Sequence, residues 1–113
     1  MPLFRQGVAG VLSAAGHSVE TPVDVFAWAR KSRPAVVLLT VRSESDWLLL
    51  DQLRQETAST VVIAVMEGAV GAAGVRAVRA GARSVLLRDA TPEALRHTVE
   101  ATLSGQAVMP PTV

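Results

Sequence analysis

The chain has 113 residues, of which 50% are hydrophobic and 19% are charged, and its formal net charge is +1. This length predicts one domain that can bury a core of its own. The chain has no cysteine and no tyrosine, and 4% of its residues are aromatic, which excludes a disulfide framework, a thiolate zinc site and a cysteine nucleophile and disfavours a base-stacking nucleic-acid surface.

The first predicted element is a helix over Leu3–Ala15, because its apolar residues recur at the 3.6-residue helical period. Gly16 is a suitable C-terminal stop for this helix. The next residues, Ser18–Glu20, read as a short extended segment, which we count as the first strand. No apolar run in the chain approaches the ~20 residues that span a bilayer, and the N-terminus lacks the apolar core of a signal peptide. We therefore expect a soluble cytoplasmic domain without a membrane segment.

The second predicted helix begins at Thr21, which can cap it, with Pro22 in the first helical position. It runs to about Lys31, since Pro34 prevents further extension. Residues 35–41 form a continuous apolar run between two helices. Such a run is typical of a central strand of a parallel sheet, buried on both faces.

The second half of the chain continues the alternation of helices and strands. Two of its helices have turn residues as boundaries, with glycine suited to a left-handed C-terminal cap and Thr-Pro suited to a helix start. The predicted elements are a helix capped by Ser43 or Ser45, a strand over Thr60–Met66, a helix over Val70–Ala80 ended by Gly81, a strand over Ser84–Leu87, and a helix opened by Thr91 and Pro92 and closed by Gly105.

This order predicts an α/β fold, a doubly wound parallel sheet covered by helices on both faces, with four strands and five helices. We place the domain at residues 1–106. Residues 107–113 are rich in proline and are expected to begin a linker.

Three segments resemble response-regulator receiver domains of the NarL/LuxR type: Pro2–Val8 their first-helix start, Pro34–Leu39 their third strand, and Gly81–Leu95 their fifth strand, following loop and last helix. The resemblance covers essentially the whole chain in the correct order. It implies a flavodoxin-like, three-layer α/β/α domain with strand order 2-1-3-4-5. The family's first strand and the acidic pair that ends it, which binds magnesium, are expected to be absent from this chain.

The resemblance also assigns positions to the phosphorylation pocket, and each of them departs from the family pattern. Thr40 stands at the phosphoacceptor aspartate, Val65 at the threonine or serine that ends the fourth strand, Val85 at the aromatic switch and Arg88 at the lysine of the fifth strand. Phosphoryl transfer of this kind needs a carboxylate nucleophile and cations around the transferred group. The resemblance therefore implies a degenerate receiver that is not phosphorylated on aspartate.

Two of these positions have alternative interpretations. Thr40 is either a phosphoacceptor for a Ser/Thr kinase or a strand-end threonine in an inactive pocket. Arg88 either binds an anion or the phosphate or carboxylate of a ligand, because a guanidinium is always charged, or pairs with a nearby acid such as Asp89 or Glu67.

The arginines on and beside the fourth helix, Arg76, Arg79 and Arg83, either form a contact surface for an acidic partner or lie on a solvated helix face. His17 and His97 stand alone, without the spacing of metal ligands. We expect no metal, no cofactor and no catalytic residue, and the chain offers no acid/base pair or nucleophile elbow that would indicate an enzyme.

The leading functional hypothesis is a phosphorylation-independent regulatory and dimerisation domain of an atypical two-component response regulator that controls transcription. A homodimer would compensate for the missing strand. DNA would be bound only through a helix-turn-helix domain that this chain does not contain. The alternative is an adaptor for a protein partner, or a small-molecule-sensing domain that uses the vacated phosphorylation pocket.

Overall fold

The computed structural model describes residues 2–57, 59–67 and 71–110. Within them five helices alternate with three strands, so the predicted α/β class is confirmed. The elements are α1 Pro2–Ala14, α2 Val25–Ser32, β1 Val36–Thr40, α3 Glu44–Glu56, β2 Val61–Met66, α4 Gly71–Arg79, β3 Ser84–Leu87 and α5 Pro92–Leu103. None of the described helices is long and apolar enough to cross a membrane.

The three strands form one parallel sheet in the order β1-β2-β3. Thr40 of β1 lies opposite Val65 of β2, and Met66 of β2 lies opposite Leu87 of β3. The β1–β2 ladder is extended at both ends, since the amide of Val61 donates to the carbonyl of Ala35 over 3.0 Å and the amide of Val41 to that of Val65 over 2.9 Å. Parallel strands need crossover connections, and α3 and α4 supply them.

Helices cover both faces of the sheet because alternate strand residues point to opposite sides. One buried cluster joins α2, α3 and α4 to one face, and the other joins α1 and α5 to the opposite face. The first cluster includes Ala29, Val37, Leu39, Leu50, Leu53, Val62, Ala64, Met66, Ala77 and Val85. The second includes Leu12, Ile63, Val65, Leu86, Leu95 and Val99.

The described residues hold three strands, not the predicted four, because Ser18–Glu20 is not a strand. The amide of His17 donates to the carbonyl of Leu12 over 3.0 Å and so closes the end of α1. Val19 then packs against the α1/α5 cluster through its side chain. This segment is therefore held by a helix end and an apolar contact rather than by backbone pairing with β1.

The predicted helix boundaries are correct where a cap residue is unambiguous and shifted where two candidates compete. Thr91 accepts a hydrogen bond from the amide of Ala94 over 3.1 Å, with Pro92 in the first turn of α5. The cap of α2 is Asp24, which accepts from the amide of Ala27 over 3.0 Å, and not Thr21 as predicted. The helix thus starts three residues later than if Thr21 had capped it.

Gly81 ends the turn after α4 with a φ of +113°, as the prediction of a left-handed cap requires. A Cβ atom at this position would lie 2.1 Å from the Cδ of Arg54 on α3. Glycine is therefore needed here both for its backbone angle and for the close approach of α3.

The far edge of β3 is covered by residues from the predicted linker. The amide of Val85 donates to the carbonyl of Val108 over 2.9 Å, and the amide of Val108 donates to the Ser84 hydroxyl over 3.0 Å. The Ser84 hydroxyl also lies 2.7 Å from that of Thr102 on α5. Ser84 is fully buried, so this hydroxyl joins β3, α5 and the C-terminal segment in one place.

We predict that Ser84→Ala lowers the free energy of unfolding by about 1–3 kcal/mol, because it leaves the Val108 amide and the Thr102 hydroxyl without their buried partner. Urea denaturation followed by circular dichroism measures this loss. Ser59→Ala, at an exposed position, is the matched control and should change the value by less than about 0.5 kcal/mol. Equal stability of the two variants would show that the buried hydroxyl contributes nothing.

Candidate functional site

The carboxyl ends of the three strands meet at one edge of the sheet, which is where parallel α/β sheets place their binding sites. Thr40, Met66 and Leu87 are the last strand residues. Glu67 and Arg88 directly follow β2 and β3, and the amide of Arg88 donates to the carbonyl of Met66 over 2.8 Å. The register of the sheet thereby brings these two charged residues side by side.

An ion-pair cluster of Arg42, Glu67 and Arg88 occupies this edge. The guanidinium of Arg88 donates to the carboxylate of Glu67 in a hydrogen-bonded ion pair. The Nε of Arg42 lies 3.9 Å from the same Oε1 atom of Glu67. The Arg88 side chain is 16% exposed, against 46% for Glu67. Of the two interpretations of Arg88, the structure thus shows a pair with one of the expected acids, Glu67.

The four predicted pocket positions do not converge on one point. Thr40 and Val65 face the α1/α5 side of the sheet and line one cavity together. Val85 is buried in the cluster on the opposite face. The second strand ends at Met66, as predicted, so Val65 is not its last residue. The side chains of Val65 and Val85 are therefore separated by the sheet itself.

A cavity of about 620 Å³ extends along the outer edge of β1. Its walls come from β1, from both helical layers and from the irregular segment after α1. The lining includes Leu12, His17, Val19, Glu20, Val25, Trp28, Val36, Leu38, Thr40, Asp46, Leu49, Val99 and Leu103. A gap beside β1 is what the expected absence of the family's first strand implies, and no strand lies on that side of β1 among the described residues.

A smaller hollow of about 350 Å³ lies beside the ion-pair cluster, between the ends of β1 and β2 and the helices α3 and α4. It is lined by Val41, Arg42, Trp47, Met66, Glu67 and Ala73. Arg88 lines neither of these two hollows. A ligand in the small hollow would meet a carboxylate and one guanidinium that already face each other.

Two of the three arginines predicted as a partner surface are engaged within the chain. Arg76 forms a bidentate pair with Glu44, with distances of 3.0 and 3.2 Å, and its guanidinium lies 4.2 Å from the centre of the Trp47 ring. Arg83 donates to the carbonyl of Gly105 over 3.1 Å. Arg79 is exposed and has no partner among the described residues.

The contacts of Arg76 with Glu44 and Trp47 connect α4 to the start of α3. The sequence patterns did not predict these contacts. The hydrogen bond and then the charge of Arg76 lower the pKa of the Glu44 carboxyl below its ordinary value. The sequence shows only that Arg76 belongs to one predicted helix and that Glu44 and Trp47 belong to the start of another. Only the packing of the two helices brings the three residues together.

The two histidines do not form a metal centre. His17 lies 3.7 Å from the carboxylate of Glu100, between Nε2 and Oε2, and its Nε2 atom is buried without a hydrogen bond. His97 is exposed on α5. Among the described residues no three histidine, cysteine or acidic side chains are close enough to hold a metal ion.

We predict that Arg76→Leu raises the pKa of Glu44 towards its ordinary range, because both causes of its depression are removed. A carboxyl whose pKa is lowered by folding adds stability above its unfolded pKa and loses that contribution as pH falls through the folded value. The wild type should therefore lose this contribution in acid, and the variant should not. Side-chain carbon NMR of Glu44 measures the titration.

Arg79→Leu is the control for this titration, since Arg79 lies on the same helix without a described partner. It should leave the Glu44 titration unchanged. An unchanged titration in Arg76→Leu as well would show that the pair does not form in solution.

Comparison with known proteins identifies the type of fold. No family profile matches the sequence, and no curated protein sequence matches it. The solved structures that resemble it include NtrX from Brucella abortus in complex with ADP (24% identity, TM-score 0.85, 93% of this chain and 24% of that one). They also include a LuxR family DNA-binding response regulator from Silicibacter pomeroyi (24% identity, TM-score 0.86, 100% and 93%) and the receiver domain of NtrX from Brucella abortus (24% identity, TM-score 0.79, 86% and 87%). The chain thus spans about a quarter of the length of the first NtrX structure. Its fold is the fold of response-regulator receiver domains.

Proposed function

We propose that this chain is a phosphorylation-independent receiver domain of an atypical two-component response regulator, with a flavodoxin-like layering of its sheet and a place in the cytoplasm. Two observations support the proposal. The fold matches receiver domains over most of the chain, and Thr40 ends β1 while Arg88 directly follows β3.

The observation that carries the proposal is the pair between Arg88 and Glu67 at the strand ends. Transfer of a phosphoryl group needs cations that are directed at the developing negative charge. Here the guanidinium of Arg88 is directed at a carboxylate. The positive charge that a transferred phosphoryl group needs is therefore already engaged by Glu67.

Thr40 itself is a poor phosphoacceptor from a small phosphodonor. A hydroxyl of this kind needs an adjacent base to become a nucleophile. Within the described chain, the Thr40 hydroxyl has no hydrogen bond to a carboxylate or an imidazole that could remove its proton. The domain would therefore signal by the contacts it makes, not by a change in covalent state.

We expect no phosphorylation of the protein by acetyl phosphate and magnesium. Intact-protein mass spectrometry after incubation measures the result, with a receiver domain that has the aspartate as the positive control. Stoichiometric labelling would overturn the proposal. Labelling that disappears in Thr40→Ala would instead identify Thr40 as a phosphoacceptor.

We further propose that the domain forms a homodimer, and that DNA is bound by a separate helix-turn-helix domain. Self-association is supported by an apolar strip on α4, where Val75 is 43% and Val78 44% exposed. These two residues are three positions apart and so lie on the same side of the helix.

The same strip, next to the exposed Arg79, is also the feature that favours the alternative function of an adaptor for an acidic protein partner. A small-molecule sensor remains the other alternative, and the hollow beside Glu67 is where its ligand would bind.

We predict a concentration-dependent dimer in sedimentation velocity, and a dissociation constant at least about tenfold higher in Val78→Asp, because a charge replaces a buried methyl pair in the interface. Leu48→Asp is the control, since Leu48 is 64% exposed on α3. A monomer at every concentration would contradict the dimer, and equal effects of the two variants would exclude the α4 strip as its surface.

A further inference from the structure

The outer edge of β1 is unusual for a strand of its composition. Val37 and Leu39 are 4% and 6% exposed, and Val36 and Leu38 pack against the cluster on the other face. A strand that is apolar on both faces is typical of the centre of a sheet. Yet among the described residues β1 pairs only with β2.

Within the part of the chain that the structure describes, β1 has no strand partner for the backbone groups at that edge. The carbonyl of Ala35 and the amide of Val41 are bonded to β2. Because successive residues of a strand direct their backbone groups to alternate sides, the amides and carbonyls of Val36, Leu38 and Thr40 point away from β2. They point into the cavity of about 620 Å³ that runs along this edge.

The size of the cavity matches a short extended peptide. Strands lie ~4.8 Å apart within a sheet, layers pack ~10 Å apart and each residue rises ~3.3 Å, so one strand residue occupies about 160 Å³. The cavity therefore holds about four residues of strand, close to the five residues of β1.

The walls of the cavity define the chemistry of such a peptide. Leu12 and Val99 face it from the α1/α5 layer, and Trp28 and Leu49 from the α2/α3 layer. Both faces of an inserted strand would thus meet apolar side chains. The charged lining residues are Glu20 and Asp46, and no lysine or arginine contributes to the lining, which favours a neutral or basic peptide over an acidic one.

We propose that this cavity is a docking site for an extended, apolar, neutral-to-basic segment of a partner protein, which adds to the sheet as a strand beside β1. The segment completes the hydrogen bonding of Val36, Leu38 and Thr40 and fills the space between the two helical layers. An apolar small molecule would fill the space but would leave those backbone groups unpaired. A second copy of the domain would carry its own helices beside its β1, and these would not fit between the layers.

The test uses a synthetic peptide with a central run of four valine and isoleucine residues and a lysine at each end. Binding is measured by fluorescence anisotropy, and hydrogen exchange of the protein is followed by NMR. We expect saturable binding and at least about tenfold slower exchange at the amides of Val36, Leu38 and Thr40. The amides of Val37 and Leu39, which face β2, serve as the internal reference.

A peptide with N-methylated alternate residues is the matched ligand control, because it keeps the apolar side chains and loses the backbone donors. It should bind at least about fivefold more weakly, the loss expected for about one hydrogen bond. Equal binding of both peptides without protection of the β1 amides would overturn strand addition, since the cavity would then accept any apolar ligand. Absence of binding by either peptide would overturn the proposal too.

Variants of the protein complete the test. Leu38→Pro removes one outward amide, and proline is tolerated at the outer side of an edge strand, so it should weaken binding about fivefold. Val19→Trp places a large side chain in the cavity and should abolish binding. It keeps the backbone of β1 unchanged and so tests the proposal independently of whether Leu38→Pro folds. Leu48→Trp, on the exposed side of α3, should bind as the wild type does. Concentration-dependent protection of the same amides without peptide would identify a second copy as the occupant and overturn the proposal.

Discussion

The structure depends on the requirement that β2 be buried on both faces and paired on both edges. Residues Val62–Met66 are all buried, so their side chains need a helical layer on each side and their backbone groups need a strand on each side. β1 and β3 supply the pairing, and the helices before and after them supply the layers. A chain with this strand in its middle has few other ways to exclude water from it.

The outer edges of β1 and β3 do not need a further strand in the same way, and the two edges differ in what lies against their backbone. At β3 the carbonyl and amide of Val108 lie against the strand, with the buried Ser84 hydroxyl between them. At β1 the nearest segment, after α1, contributes side chains to the cavity wall but no backbone pairing. The backbone at the β3 edge of the sheet is therefore covered by the C-terminal segment, whereas among the described residues the backbone at the β1 edge is not paired.

Much of this arrangement could be predicted from local sequence patterns. Ser84–Leu87 was predicted with its observed bounds, and Thr91 and Pro92 marked the start of α5 correctly. The strand predicted at Ser18–Glu20 was wrong because three residues cannot indicate whether a neighbouring strand exists. The cap at Thr21 was wrong because Asp24 is an equally good cap residue three positions later, and local preference alone does not choose between them.

The charged contacts were less predictable, since they depend on the register of the strands. Arg88 was expected either to bind an anion or a ligand or to pair with an acid such as Asp89 or Glu67, and local sequence does not distinguish the neighbour along the chain from the neighbour in space. Because Met66 is aligned with Leu87, the residues that follow the two strands, Glu67 and Arg88, lie side by side and form the observed pair. The pair of Arg76 with Glu44 depends in the same way on the packing of α3 against α4.

The two tryptophans lie at different places in this arrangement, and the chain has no tyrosine to obscure them. The indole N–H of Trp28 donates to Glu20 over 3.0 Å beside the large cavity, whereas Trp47 lies under the guanidinium of Arg76. Drying of the cavity would change the emission of the first ring, and separation of α3 from α4 that of the second. Trp28 is thus an intrinsic optical reporter of the large cavity and Trp47 of the contact between α3 and α4, and Trp47→Phe or Trp28→Phe would isolate one signal from the other.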